Sequence, residues 1–467
     1  MPSTRTTQTA LHSKTTAINL SLQERWAQQL ATVPGRLKFA RSATIVATVL
    51  FIGLSYLTYS DLRNAVQTVG RDTVPSIVAA EKIRATLADA NSNAVNFFLA
   101  VEPDDGPSWT AYRREMDEVQ NNLLVASQNI TYGEEERAPI LDMMTQLTSY
   151  ERLIGQARGH RQGDFHADLD AAEQIMRNKI LTAAFALDKA NFDHLTTTYN
   201  AHRSGFGGRS VPMIASGVLL FGLLLSTQFF LAQRTRRTLN PGLAAATIAL
   251  IACSIYAATV LPRAEASLKS AKEDAFDSIH ALWQARATAF DANADESFYL
   301  LDHGKSDKQA IWTKNFNDKA TLLAEGDSEQ LAQNTAAGAR IKGYIGDELA
   351  NITYPGEKEI ATQMVQTWGA YLGIDRHIRE LENTGKYKEA LELNIGVKPD
   401  ESNWAFGKFD EALGKTLDLN QHEFDLTIAH AFHLLAQFVY LLVLALVVIV
   451  VATVAGLKAR LDEYRFQ

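Results

Sequence analysis

The stretch "AFHLLAQFVYLLVLALVVIVVATVAGL", residues 431–457, contains no Asp, Glu, Lys or Arg. A helix needs about 20 apolar residues to cross the hydrocarbon core of a bilayer, and this stretch is long enough. Three further stretches share the absence of charge: "ATIVATVLFIGLSYLTY" (43–59), "VPMIASGVLLFGLLLSTQFFLAQ" (211–233) and "GLAAATIALIACSIYAATVL" (242–261). Because a buried core helix rarely stays uncharged over such a length, we predict an all-α membrane protein with four transmembrane helices.

The distribution of charge predicts the orientation of these spans. Residues 1–42 carry six basic side chains and one acid, Glu24, and the link after the second span carries Arg234, Arg236 and Arg237 without an acid. The two long segments between spans carry an excess of acid. Because positively charged loops stay on the cytoplasmic side, we expect both termini in the cytoplasm and both long segments outside it.

These signals predict a chain with alternating spans and segments. The predicted parts are a cytoplasmic N-terminal segment with a basic amphipathic stretch (1–42), spans at 43–60, 210–233, 242–262 and 430–457, a cytoplasmic link (234–241), a cytoplasmic tail (458–467), and extracytoplasmic helical bundles at 61–209 and 263–429. The stretch 20–42 mixes apolar and basic residues, and it can lie on anionic lipid or dock a cytosolic partner. The single cysteine, Cys253, lies in the third span, so the long segments contain no disulfide.

Two phrases occur in both long segments. "RATLADANSN" (84–93) returns as "RATAFDANAD" (286–295), and "NITYGEEE" (129–136) returns as "NITYPGEKE" (351–359). Self-similarity at a fixed spacing indicates an internal repeat, so we predict a tandem repeat in which each copy consists of a span, an outer segment and a second span. The second copy is longer, and we expect its extra residues to be a helical insertion at 327–350.

The outer segments are predicted to be helical bundles. Apolar residues recur at steps of three and four, which is the pattern of a bundle helix. Turn-like breaks fall at 101–108, 131–139 and 160–165 in the first copy, and at 302–307, 353–359, 383–386 and 396–402 in the second. Because short turns make neighbouring helices antiparallel, we predict an up-down-up-down four-helix bundle in each copy.

This pattern resembles a known type of receptor. An uncleaved span, a helical bundle whose first helix carries "DAN" and then "FFL" or "FYL", and a return span resemble the ligand-sensing bundle of bacterial chemoreceptors and histidine kinases. With "ATAFDANADESFYLL" (287–301) and a tandem bundle, the chain also resembles GlnX-like actinobacterial four-span proteins. Those proteins are encoded beside an amino-acid-binding lipoprotein and a soluble serine/threonine kinase. The resemblance implies a bacterial plasma-membrane protein that relays an outside amino-acid signal to a cytosolic kinase.

The best candidates for ligand binding are two Arg–Asn pairs. Arg84 and Asn91 lie seven residues apart beside the apolar stripe, and Arg286 and Asn293 repeat the placement. A guanidinium with a nearby amide suits a carboxylate ligand, because its planar fork donates two parallel hydrogen bonds. The alternative is that these groups only hold the bundle together.

That alternative requires ion pairs within the protein. The two arginines would then bind Asp89 or Asp291, or a carboxylate of another helix. Structural ion pairs are commoner than binding sites, and the sequence does not decide between the two interpretations.

The repeated "NITY" phrase has two interpretations as well. Its acids can stabilise the positive N-terminus of the following helix, which is a structural role. Alternatively, Tyr132 and Tyr354 contact a protein partner.

No motif supports catalysis. The chain has no P-loop, no G-x-S-x-G, no H-E-x-x-H, no Cys-rich zinc set and no kinase signature. We therefore expect no catalytic residue, no metal site, no cofactor and no nucleic-acid partner. In the third span, Ala245, Ala249, Cys253 and Ala257 form a small-residue stripe, which serves either simple packing or a homodimer seam.

The predicted function is a non-enzymatic transmembrane sensor. It would detect an extracytoplasmic solute or a ligand-loaded binding protein and signal to a cytosolic partner such as a kinase. The other open possibility is a structural or accessory subunit of a bacterial envelope complex that binds no small molecule.

Overall fold

The computed structural model describes residues 31–235 and 239–463, and these contain helices but no strand. The predicted all-α class is confirmed. Residues 20–30 of the stretch 20–42, and Arg236 and Arg237 of the link, lie outside the described residues. In the first half the helices are α1 (Val33–Gln67), α2 (Val74–Leu99), α3 (Pro107–Gln128), α4 (Glu134–Gly159), α5 (His166–Ile175) and α6 (Leu181–Thr235), with π-helical turns π1 (Thr68–Thr73) after α1 and π2 (Met176–Ile180) after α5.

The second half contains more and shorter helices. They are α7 (Pro241–Ser270), π3 (Ala271–Phe276), α8 (Asp277–Leu301), α9 (Ser306–Leu323), α10 (Ser328–Ala337), α11 (Tyr344–Ala350), α12 (Glu357–Asn383), α13 (Tyr387–Ile395), α14 (Ser402–Ala436) and α15 (Phe438–Glu463). Each predicted turn region overlaps a break between two of these helices, although 131–139 and 353–359 extend into the starts of α4 and α12.

The predicted helical insertion at 327–350 is divided into α10 and α11. Gly338 and Gly343 both have positive φ, +64° and +98°, a conformation that only glycine adopts without strain. At Gly343 a side chain would also lie 2.7 Å from two backbone oxygens, those of Leu322 and Leu323. The glycines therefore end one helix and let the next begin at a new angle.

Four helical stretches are long and apolar enough to cross a membrane: Val33–Leu99, His166–Arg234, Pro241–Leu301 and Ser402–Glu463. The protein is thus a multi-pass membrane protein. In the most apolar 18 residues of each stretch, only 28% to 33% are buried inside the protein. Large apolar side chains such as Val218, Ile248 and Val447 are exposed. Such a surface is suited to lipid rather than to water.

The chain divides into two compact units. The membrane unit consists of the described parts of Met1–Thr58, Arg209–Ala258 and Phe438–Gln467, and the larger unit consists of Tyr59–Gly208 and Thr259–Gln437. A break between α14, which ends at Ala436, and α15, which begins at Phe438, falls inside the predicted fourth span at 430–457.

Within the membrane unit, α7 and α15 are in close contact. The Asn240 amide donates to the carbonyl of Gly456 at 2.9 Å, and a Cβ on Gly242 would lie 2.4 Å from the carbonyl oxygen of Ala452. Glycine at these positions lets the two backbones approach. Of the predicted small-residue stripe, Cys253 and Ala257 are buried, whereas Ala249 is half-buried and Ala245 is exposed.

The larger unit joins both long segments, which the sequence analysis treated as two separate bundles. Helices α2 and α8 run parallel and pack along their length, with Ser92 Oγ donating to Asn293 Oδ1 at 2.6 Å and Ser297 Oγ donating to Asn96 Oδ1 at 2.7 Å. Phe298 of α8 belongs to the same apolar core as α2 to α6. Small side chains along both helices allow this approach, and the reciprocal hydrogen bonds satisfy the polar groups that it buries.

Candidate ligand-binding pocket

The repeated "NITY" phrase forms the same loop twice. In the first loop, Glu136 Oε2 accepts hydrogen bonds from the backbone N–H groups of Thr131 and Tyr132, both at 2.6 Å. In the second, Glu357 Oε2 accepts from the two equivalent residues at 2.7 and 2.9 Å. Both carboxylates are buried. The acid of the phrase therefore stabilises the loop from within, which is a structural role.

The two tyrosines of the phrase are half-buried. The hydroxyl of Tyr132 is 2.7 Å from Thr73 Oγ1, and its ring stacks on His194 with centroids 4.1 Å apart. Burial raises the pKa of the Tyr354 hydroxyl. A partner contact at Tyr132 and Tyr354 stays a prediction.

The asparagine that begins the phrase has different surroundings in the two loops. Asn351 Nδ2 donates to the carbonyl oxygens of Glu273 and Asp274, at 3.0 and 2.9 Å, and so closes its loop onto π3. Asn129 is exposed and instead lines a pocket beside π1. The same residue of the phrase therefore lines a pocket in the first segment, whereas it bonds to the backbone of π3 in the second.

This pocket has a volume of about 540 Å³, within the ~300–1,000 Å³ range of small-molecule sites. Its apolar wall comes from α2, α3, α4 and α6 and includes Pro75, Ala79, Ala126, Ile140 and Leu187. Its polar groups are those of Arg71, Asp72, Ser76, Asn129, Thr131, Glu136 and Asn191. An apolar wall with a few polar groups is the usual composition of a ligand site.

Asn191 is a buried polar residue of the pocket whose side-chain oxygen lacks a hydrogen-bond donor in the part of the chain that the structure describes. It is 2% exposed, and its Oδ1 accepts no hydrogen bond from the described residues. A buried acceptor without a donor costs about 1–3 kcal/mol. A ligand N–H or O–H in the pocket would offset that cost.

The first predicted Arg–Asn pair lies away from this pocket. Asn91 is buried, where its Nδ2 donates to Glu173 Oε2 at 2.6 Å and its Oδ1 accepts from the hydroxyl of Tyr150 at 3.1 Å. Arg84 Nη1 lies 3.5 Å from Glu81 Oε2. The two side chains therefore bind different groups within the protein.

The second pair is likewise engaged inside the larger unit. Arg286 forms a two-point ion pair with Asp410 of α14, at 2.8 and 2.9 Å. Asn293, besides accepting from Ser92, donates to the hydroxyl of Tyr371 at 3.3 Å. An Asn–Tyr hydrogen bond thus occurs in both segments. These contacts correspond to the alternative interpretation, in which the pairs hold the helices together.

A larger ionic network joins the two segments. Arg177 of π2 contacts Asp291 at 3.2 Å and Asp295 at 2.6 Å, and it also pairs with Glu173. Lys319 of α9 binds the same two aspartates at 2.9 and 2.5 Å. Burial raises the pKa of Asp295 to about 6, although both cations oppose that shift. The sequence signal for this network was the Asp291–Asp295 spacing of one helical turn, but nothing in the sequence identified its cations.

The carboxyl of Glu296 occupies a second buried polar cluster. It accepts from Ser402 Oγ at 2.8 Å and from the hydroxyl of Tyr371 at 3.1 Å. Burial first, and the charge of Asp375 second, raise the pKa of Glu296 to about 8. In the larger unit, Glu81, Asp188 and His280 also place their donor atoms within 4.8 Å of one another, so these residues could hold a metal ion.

Comparison with known proteins identifies one related domain. Residues 65–200 match the family model of the actinobacterial sensor domain. This similarity supports a bacterial sensor domain in the first segment and suggests a sensing role. Searches of curated proteins and of solved structures find no match. All residues that line the 540 Å³ pocket lie inside the matched range.

Proposed function

We propose that this protein is a non-enzymatic bacterial sensor whose first segment binds an extracytoplasmic solute in the pocket beside Asn129. The observation that carries the proposal is that the pocket is lined entirely by residues of the sensor-domain match, 65–200. In this proposal Arg84, Asn91, Arg286 and Asn293, which the sequence analysis suggested as ligand-binding residues, only make contacts within the protein. The ligand is bound instead by the polar residues of the pocket.

The pocket favours a small solute that carries both charges and an apolar part. Arg71 and Asp72 offer a cation and an anion at one side, and Asn129 and Asn191 offer amides. These groups suit the carboxylate and ammonium of a free amino acid, since both charges gain charge-assisted hydrogen bonds. The GlnX-like resemblance implies the same ligand class.

Signal relay would use the helices that line the pocket. Leu187 and Asn191 lie on α6, and the bounds of that helix, Leu181–Thr235, include the apolar stretch 211–233. A small slide or rotation of such a helix is a recognised mode of switching. The receiver would be a cytosolic protein such as a serine/threonine kinase, and the solute would arrive free or on a secreted binding protein.

The proposal is tested by ligand-dependent stabilisation of the full chain in lipid nanodiscs. Amino acids and related solutes are screened for a rise in Tm, and a ligand at about 100 times its Kd stabilises by about 2.7 kcal/mol. Ala126→Phe fills the pocket and should abolish the shift. Ala111→Phe is the matched control, because Ala111 is half-buried on the same helix but does not line the pocket.

Two results would count against this function. One is a screen in which no solute raises Tm in the natural chain, and the other is a shift that survives Ala126→Phe unchanged. The accessory-subunit alternative has its own test, since stoichiometric co-purification with a large envelope assembly would favour it. Protease protection in intact cells tests the proposed topology, with both long segments expected to be cleaved from outside.

A further inference from the structure

Three side chains of metal-ligand type meet in the interior of the larger unit. Glu81 is on α2, Asp188 on α6 and His280 on α8, and their donor atoms lie within 4.8 Å of one another. The two carboxylates are fully or almost fully buried, and His280 is 14% exposed. Two elements of the first segment and one of the second thus supply the cluster.

The Glu81 carboxylate is fully buried, and its ion pair with Arg84 satisfies it only in part. Neither of its oxygens accepts a hydrogen bond from the described residues. Arg84 Nη1 lies 3.5 Å from Oε2, whereas Oε1 faces His280 Nε2 at 3.9 Å. Burial, and then the adjacent charge of Asp188, raise the pKa of Glu81. Two neighbouring buried carboxylates repel each other, and a cation between them removes that repulsion.

The spacing of the donor atoms fits a small cation. His280 Nε2 is 3.2 Å from Asp188 Oδ1 and 3.9 Å from Glu81 Oε1. Zinc bonds of ~2.0–2.2 Å to nitrogen and oxygen place tetrahedral ligands about 3.3–3.6 Å apart. The two distances from His280 Nε2 lie on either side of that range, each within a few tenths of an ångström of it, and all three donor atoms lie within 4.8 Å of one another.

The imidazole is held in place by its neighbours. Its ring stacks on Phe192 with centroids 4.3 Å apart, which fixes the plane of the ring. Gln284 Nε2 lies 3.1 Å from His280 Nε2, the nitrogen that faces the two carboxylates, so this amide has to turn away when a cation binds. Sequence analysis did not indicate the cluster, because each ligand is isolated in its own stretch of the chain.

We propose that Glu81, Asp188 and His280 bind a divalent transition-metal cation of the zinc type. An imidazole with two carboxylates is a ligand set for zinc rather than for magnesium or calcium, which prefer oxygen ligands alone. The two carboxylates balance the charge of the cation. The site joins α2 and α6 to α8, and it stands independently of the solute pocket.

The test uses the full chain in lipid nanodiscs after treatment with a chelator. Zn²⁺ is titrated by calorimetry, Co²⁺ is added as a spectroscopic probe, and Mg²⁺ serves as the comparison ion. We expect one Zn²⁺ per chain, a rise in Tm, and the visible absorption of tetrahedral Co²⁺. Glu81→Gln and His280→Ala should each weaken Zn²⁺ binding by more than ~100-fold, the upper limit for loss of a mere supporting partner.

His194→Ala is the matched control. His194 also lies on α6 and pairs with a carboxylate, Glu135, at 2.8 Å, but it is 38% exposed and outside the cluster. The His194→Ala variant should therefore bind Zn²⁺ with the same affinity as the natural chain. Glu81→Gln keeps the shape of the side chain and removes the buried charge, so its Tm without metal should equal or exceed that of the natural chain. The proposal is overturned if Zn²⁺ does not bind, or if Glu81→Gln binds it with unchanged affinity.

Discussion

Replacing Glu136 by alanine should open the first "NITY" loop. The carboxylate is 3% exposed and accepts the backbone N–H groups of Thr131 and Tyr132, each at 2.6 Å. A hydrogen bond to a charged group contributes about 1.5–3 kcal/mol. Because Thr131 is at the surface, water can replace one of the two bonds, so we expect the free energy of local opening to fall by about 3 kcal/mol.

Amide hydrogen exchange measures that opening directly in the full chain. Each 1.4 kcal/mol is a factor of ten in an equilibrium constant, so a fall of about 3 kcal/mol should speed exchange in residues 129–136 by about 100-fold. Glu136→Gln keeps an oxygen acceptor and should give a smaller increase. Exchange elsewhere in the chain should change little.

Two controls separate this loop from a general loss of stability. Glu134→Ala removes an acid from the same helix start, but Glu134 is 78% exposed and, among the described residues, pairs only with Arg137 at 3.4 Å, so exchange should hardly change. Glu357→Ala should open the second loop, at 351–357, and leave the first protected. Equal exchange in Glu136→Ala and Glu134→Ala would refute the reasoning.

Two further predictions concern pH and the packing of spans. His202 lies between Asp61 and Glu265, at 2.9 and 2.8 Å. Burial alone would lower the pKa of His202. The hydrogen bond to Glu265 and the charges of both acids outweigh burial and raise that pKa. The folded state therefore holds a proton that the unfolded chain releases above about pH 6.5, so Tm should fall as pH rises through the folded pKa, and His202→Gln should flatten that profile. Gly456→Leu should lower Tm because its Cβ would lie 2.6 Å from Oδ1 of Asn240 and 3.1 Å from the Cα of Gly242 on α7. Gly53→Leu, with no atom within 4 Å, should not lower it.

The sequence predicted what local composition determines. The absence of charge over 431–457 was enough to identify a span, and "TYGEEE" was enough to place a helix start near Glu134. These signals are carried by neighbouring residues, so no long-range information was needed. The helix break at Gln437 was not predicted, because it interrupts a run without any charged residue.

Contacts between distant residues were beyond the sequence. Arg286 pairs with Asp410, which lies on α14, and no spacing rule selects that acid from the many in the chain. Ser92 and Asn96 were polar residues that a helical pattern assigns to the surface, yet they are buried between α2 and α8. Polar groups can be buried when each finds a partner, and such partners are visible only in three dimensions.

The reciprocal contacts between α2 and α8 limit how this protein can be divided. Each helix presents to the other a surface of small side chains and matched hydroxyl and amide groups. A fragment ending before residue 277 would leave Ser92 and Asn96 facing water, and it would have to recruit a foreign helix to cover them. Covalent linkage supplies that second helix at a high effective concentration, so a natural protein with only one such segment would be expected to work as a pair of chains.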